Sequence, residues 1–110
     1  MLPAAASAAG DVAAGGQVFK VQCSACHDTE AGSNKVGPSL FGVFGRKAGS
    51  VEGFHYSTAN RDAGITWTAE ELDKYLANPR GVVPGTSMPY LGLKNDAQRA
   101  NVIAYLETLK

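Results

Sequence analysis

Cys23-Ser24-Ala25-Cys26-His27 holds both cysteines of a 110-residue chain and one of its two histidines. Two thiols two residues apart, with an imidazole directly after, open several readings. A disulfide here would close a tiny ring and remove little chain entropy. A thioredoxin-like pair needs a βαβ setting, yet a helical pattern runs into this motif and no parallel-sheet pattern appears. A structural zinc site takes four ligands. Cys23, Cys26 and His27 supply three, only His55 offers a fourth, and there is no second C-x-x-C.

Haem attachment uses all three residues together. The thiols add to the two vinyl groups and the histidine that follows supplies an axial nitrogen. A low-spin haem iron then takes a second ligand, and thioether sulfur raises its potential. Met1 lies in the N-terminal stretch. Met88 lies in Pro84-Gly85-Thr86-Ser87-Met88-Pro89-Tyr90, where flanking prolines stiffen the loop. The Pro-rich setting favours ligation by Met88 over a gap-filling core role. His55 is the rival ligand, although Gly53-Phe54-His55-Tyr56 reads better as lining the polar edge of the ring.

Working outward, the spacing of Val12, Gly15, Val18 and Phe19 predicts a first helix capped by Asp11. Residues 28–66 are glycine-rich and read as loop, a length that calls for something to wrap around. Thr68-Ala-Glu-Glu71 reads as a capping box, and Leu72, Tyr75 and Leu76 give the helix after it an apolar face. Asn78-Pro79 stops that helix, and residues 80–94 read as loop again. Asp96 is the expected cap of a last helix whose stripe is Val102, Ile103, Leu106 and Leu109. The expectation is all-α: three main helices, two long loops and no sheet.

Ten acids balance ten bases, which argues against nucleic acid as a partner. The charges are uneven. Residues 33–61 carry Lys35, Arg46, Lys47 and Arg61 against Glu52, and residues 62–79 carry Asp62, Glu70, Glu71 and Asp73 against Lys74. A neutral chain of this kind can have a dipole that orients partners. No apolar run approaches bilayer-spanning length. Residues 1–9 read as a flexible tail or a signal or linker remnant, with the small-residue pattern Ala6-Ser7-Ala8, and residues 10–110 as the domain.

The chain resembles the class I cytochromes c, the group of mitochondrial cytochrome c and its soluble alphaproteobacterial relatives. The resemblance runs over roughly residues 10–110. It is carried in order by Gly15 and Phe19, CSACH, GPSLFGVFGRKAG, FHYSTAN, ITW, YLANP, PGTSM and IAYLETL. It implies one haem c bound through Cys23 and Cys26, with His27 and Met88 as axial ligands. It implies that Pro38 accepts a hydrogen bond from the His27 ring, and that Tyr56 and Trp67 donate to a haem propionate with Arg46 nearby. It implies a polar network of Asn60, Tyr75 and Thr86 near Met88, and Gly15 and Phe19 packed on Val102 and Tyr105.

The function so implied is one-electron carriage without catalysis. Docking would be weak and brief, by a monomer, on membrane redox complexes such as a cytochrome bc-type complex, a terminal oxidase or a photosynthetic reaction centre. The place would be the periplasm, free or tethered to the membrane. The chain departs from the family pattern at the docking face. Ser87 stands where a lysine is usual, LGLKNDAQ keeps only Lys94, and Pro89 and Tyr90 are unusual beside the ligand. The expected face is positive but thinned.

Overall fold

Asp11 starts the first helix by accepting a hydrogen bond from the Ala14 N–H at 3.0 Å, which satisfies a donor that has no partner within the helix. In the computed structural model, which describes residues 10–110, this helix is α1 (Val12–Gln22). It is followed by α2 (Thr58–Arg61), α3 (Ala69–Ala77), α4 (Pro79–Val82) and α5 (Asp96–Glu107). Among the described residues there is no strand, only an isolated antiparallel bridge between Lys47 and Thr66. The all-α expectation of three main helices and long loops holds. The tail over residues 1–9 lies outside the described residues.

Helices α1 and α5 cross closely because Gly15 has no side chain. A Cβ there would sit 1.8 Å from the Asn101 carbonyl oxygen and 2.9 Å from the Tyr105 Cβ. Gly15 thus meets Asn101 and Tyr105 directly. The Phe19 and Tyr105 rings lie 5.5 Å apart, tilted, a favourable aromatic arrangement. Val102 is 1% exposed and belongs to the same core. The Asp11 N–H donates to Asn101 Oδ1 at 2.8 Å and ties the start of α1 to α5.

Several boundaries differ from the sequence reading. Asn95, not Asp96, caps α5, accepting from the Gln98 N–H at 2.9 Å. Asp96 is the first helical residue, where its charge suits the helix dipole and reaches Arg99 one turn on. Thr68 caps α3 by accepting from the Glu71 N–H at 3.2 Å. The reciprocal half of the capping box gives way, because the Thr68 N–H donates to the Thr66 carbonyl and Glu71 turns to Lys74. The two loop assignments are also corrected. Ser57 caps the single turn α2. Asn78 both ends α3 and caps α4, with Pro79 at the first position, where a missing N–H costs nothing.

Arg99 is 9% exposed and joins α5 to α3. Its Nε donates to Asp73 at 2.7 Å, Nη2 to Asp96 at 2.7 Å and Nη1 to the Leu93 carbonyl at 3.0 Å. These carboxylates, Asp73 first, hold its pKa above the ordinary arginine value. Arg99→Met keeps the stem but removes the three donors. It is expected to cost about 2 kcal/mol, the scale of hydrogen bonds to charged groups, read as a lower urea midpoint at unchanged slope.

Candidate cofactor site

Helix α1 ends at Gln22, and the next turn is held by its own backbone: the Cys23 N–H donates to the Phe19 carbonyl at 2.8 Å and the His27 N–H to the Cys23 carbonyl at 3.0 Å. This places Cys23, Cys26 and His27 on the wall of one cavity of about 400 Å³. The rest of the wall is largely apolar, with Leu40, Val43, Phe54, Trp67, Leu72, Val102 and Leu106 among it, and Met88 on the loop after α4. The protein's interior is shaped around a large apolar group.

The His27 ring is fixed from two sides. Nδ1 lies 2.8 Å from the Pro38 carbonyl oxygen. A carbonyl only accepts, so Nδ1 carries the proton and Nε2 is left as the basic nitrogen. Gly37 packs on the ring, and a Cβ there would come within 2.3 Å of it. Burial, more than any neighbour, holds the His27 pKa below its usual value, so the neutral ring that a metal requires is the favoured form. Burial also pushes the Cys23 thiol up to about 11, with Cys26 adding to the rise. A thiol kept protonated is a poor redox nucleophile.

Elsewhere on the wall, segments 45–48 and 65–67 run side by side. The Gly45 N–H donates to Trp67 O at 2.7 Å, Trp67 N–H to Arg46 O at 2.8 Å, and Ala48 N–H to Ile65 O at 2.7 Å. Arg46 and Trp67 both reach the cavity from this pair. The Arg46 guanidinium donates to Phe41 O at 2.8 Å and Ser39 O at 3.0 Å. Tyr56 also lines the cavity, and its hydroxyl accepts from the Val51 N–H at 3.0 Å, which leaves the phenol proton free to donate.

Asn60, Tyr75 and Thr86 are joined in a closed ring of hydrogen bonds. Tyr75 Oη and Thr86 Oγ1 are 2.9 Å apart, Thr86 donates to Asn60 Oδ1 at 2.9 Å, and Asn60 Nδ2 donates to Tyr75 Oη at 3.4 Å. The Thr86 proton is spent on Asn60, so Tyr75 is the donor to Thr86. Two backbone donors of the next residues join it: Ser87 N–H to Asn60 Oδ1 at 3.2 Å and Met88 N–H to Thr86 Oγ1 at 3.3 Å. The network therefore grips the loop that carries Met88.

His55 does not join the site. It is exposed and absent from the cavity wall, although Phe54 and Tyr56 on either side line it. The reading of His55 as lining the ring's edge is corrected here: along an extended segment, alternate side chains face opposite ways. Among the described residues no group of three or more His, Cys, Asp or Glu is placed to hold a metal ion, so the zinc alternative lacks its fourth ligand. Sequence reasoning missed two features. Gly37 lay in a stretch read only as loop, yet its missing side chain seats His27. Tyr90 donates to Gln22 Oε1 at 3.0 Å across the mouth of the cavity, a contact between residues far apart in sequence.

The family model described as cytochrome c matches residues 12–110. The chain is 56% identical over 87 residues to cytochrome c2 iso-2 of Magnetospirillum fulvum, covering 79% of this chain and 91% of that one. It is 50% identical over 101 residues to cytochrome c2 of Rhodopila globiformis, covering 92% and 95%. Its fold matches the solved structure of cytochrome cH from Methylobacterium extorquens with a TM-score of 0.84 and 42% identity, over 90% of this chain and 99% of that one.

The C-x-x-C-H turn set against one large apolar cavity fits covalent haem, and the chain's relatives make it an electron-transfer protein, not an enzyme. The chain belongs to the cytochrome c family and has the class I cytochrome c fold. Its haem c is held through Cys23 and Cys26.

Proposed function

We propose that His27 and Met88 are the two axial ligands of the haem, and that the domain over residues 10–110 shuttles single electrons between membrane redox complexes in the periplasm. A cytochrome bc-type complex, a terminal oxidase or a photosynthetic reaction centre has the chemistry to be donor or acceptor. The observation that carries the ligand assignment is the position of Nδ1 of His27 on the Pro38 carbonyl, which leaves Nε2 as the metal-binding nitrogen at the cavity wall. The bound iron supplies the one-electron change between ferric and ferrous. The chain's own residues do the rest. Pro38 and Gly37 orient the His27 ring, an outer-shell role that tunes ligand basicity. Asn60, Tyr75 and Thr86 hold the Met88 loop. Tyr56, Trp67 and Arg46 offer hydrogen bonds and positive charge to the propionates. Apolar walls exclude water, which together with the thioether favours the ferrous state.

An optical spectrum in both oxidation states, with the pyridine haemochrome and the near-infrared methionine–iron band, tests this reading. Haem c with that band supports His27 and Met88 together. Haem c without it removes Met88.

Thr86→Val should leave haem attached and strip the Met88 loop of one anchor. Replacing a hydroxyl that serves three partners is expected to weaken the loop's closure by about 1–2 kcal/mol. The methionine–iron band of the ferric protein should then disappear at a pH about one unit lower, since one unit is 1.36 kcal/mol. An unchanged titration would remove the network from the loop's control.

A further inference from the structure

The loop that carries Met88 is fastened differently on its two sides. On the leading side, Thr86 Oγ1 and Asn60 Oδ1 accept the backbone N–H groups of Met88 and Ser87 at 3.3 and 3.2 Å. On the trailing side the backbone is tied again at Leu93, whose N–H donates to the Leu76 carbonyl of α3 at 2.7 Å. Pro89, Tyr90, Leu91 and Gly92 lie between. Proline has no N–H, and among the described residues no backbone group of these four is hydrogen-bonded to the rest of the chain. Their one tie is a side chain: Tyr90 Oη donates to Gln22 Oε1 at 3.0 Å.

That tie links residues 68 positions apart. Gln22 is the last residue of α1 and adjoins Cys23. Gln22, Cys23, Met88, Pro89 and Tyr90 all line the same cavity, so the bond joins the Met88 part of its wall to the cysteine part. Pro89 couples its two neighbours. Its ring fixes its own φ and keeps the residue before it extended, so a held Tyr90 constrains Met88. The Tyr90 ring packs half-buried against the core, and a phenylalanine would pack there as well. The hydroxyl is surplus to packing, and what it reaches is Gln22.

We propose that the Tyr90 hydroxyl is a latch: bonded to Gln22, it closes the Met88 loop over the cavity, keeps the Met88 sulfur seated and keeps small nitrogenous ligands out. Tyr90 is a positioning residue that acts through Pro89 and the loop. This rests on the reading of Met88 as a ligand. Thr86 and Asn60 grip the loop before Met88, and the latch grips it after. An outside ligand that takes the place of Met88 binds the open loop alone, so its apparent affinity scales with the open fraction. Weakening the closed loop tightens such a ligand by the same factor.

The test is titration of the ferric holoprotein with imidazole at constant pH and ionic strength, followed by loss of the methionine–iron band. Tyr90→Phe keeps the ring and removes the hydroxyl. It should show the band before imidazole is added and bind imidazole about fivefold more tightly than wild type, the scale of one hydrogen bond. Gln22→Leu should do the same. The double variant should go no further than either single one, because both remove a single interaction. Gln22→Glu keeps an acceptor and should stay within about twofold of wild type. Wild-type imidazole affinity in Tyr90→Phe would overturn the latch, and with a lowered urea midpoint it would assign the hydroxyl to the fold alone. Multiplying effects in the double variant would overturn it too, since the two side chains would then act separately. Wild-type protein without the band before any imidazole is added would instead sink the Met88 reading, and the latch with it.

Discussion

Met88→Ala is expected to leave the haem covalently attached and to abolish the methionine–iron band. His27 stays seated on Pro38 in this variant, because neither the 2.8 Å hydrogen bond nor the Gly37 contact involves a residue of the Met88 loop. The loop itself loses its reason to close, although Thr86 and Asn60 still bind the backbone of Ser87 and Met88. The reduction potential should fall by on the order of 0.1–0.3 V, part of the ~0.8 V range that axial ligation spans, because a thioether favours ferrous iron and its loss removes that preference. Small anions and gases should then bind where the wild type resists them. Potentiometric titration together with a ligand-binding spectrum reads both effects. A variant that keeps its potential within a few hundredths of a volt, and still shows the band, would take Met88 out of the site.

Gly15→Ala carries the largest expected loss of stability. The added methyl would lie 1.8 Å from the Asn101 carbonyl oxygen and 2.9 Å from the Tyr105 Cβ. Both belong to the packed helix α5 and neither is the tip of a flexible side chain. Relief requires the two terminal helices to move apart, which also separates Phe19 from Tyr105. Overpacking of this severity is expected to cost about 3 kcal/mol. For a domain of this size that lowers Tm by roughly 12–24 °C. Gly16→Ala is the control. A Cβ there meets only the Tyr105 ring, at 3.4 Å, and alanine is the better helix former by up to ~1 kcal/mol. It should melt at or slightly above the wild-type temperature. Equal losses at the two positions would mean that helix propensity rather than close approach governs this segment.

The features that could be read from sequence are those set by local chemistry. CSACH, the Asp11 and Thr68 caps and most of the apolar stripe of the last helix announce themselves within a few residues and occupy their expected elements; Leu109, expected in that stripe, lies past the end of α5 at Glu107. The features that could not are set by contacts between distant segments. Asn95 and Asp96 are both good caps; Asn95 takes the cap by accepting from the Gln98 N–H, and Asp96 becomes the first helical residue and pairs with Arg99. Gly37 looks like any turn glycine until the ring of His27 is placed on it. His55 sat among cavity-lining neighbours in sequence, but chain direction turned it outward. The short turns α2 and α4 were hidden because four residues give no periodicity. The resemblance to class I cytochromes c pointed to Pro38, Arg46, Tyr56 and Trp67, which no spacing rule would have found and which all line the cavity.

The bond from the Asp11 N–H to Asn101 spans 90 positions, so nearly the whole chain is a loop whose ends meet. Closing it costs about 4 kcal/mol of chain entropy, a quantity that grows only with the logarithm of length. Ten residues inserted near Glu52 and Gly53, both exposed, would add only ~0.1 kcal/mol to that closure. The clasp of first and last helices thus makes the length of the intervening chain nearly free to vary, as long as the two ends still find each other.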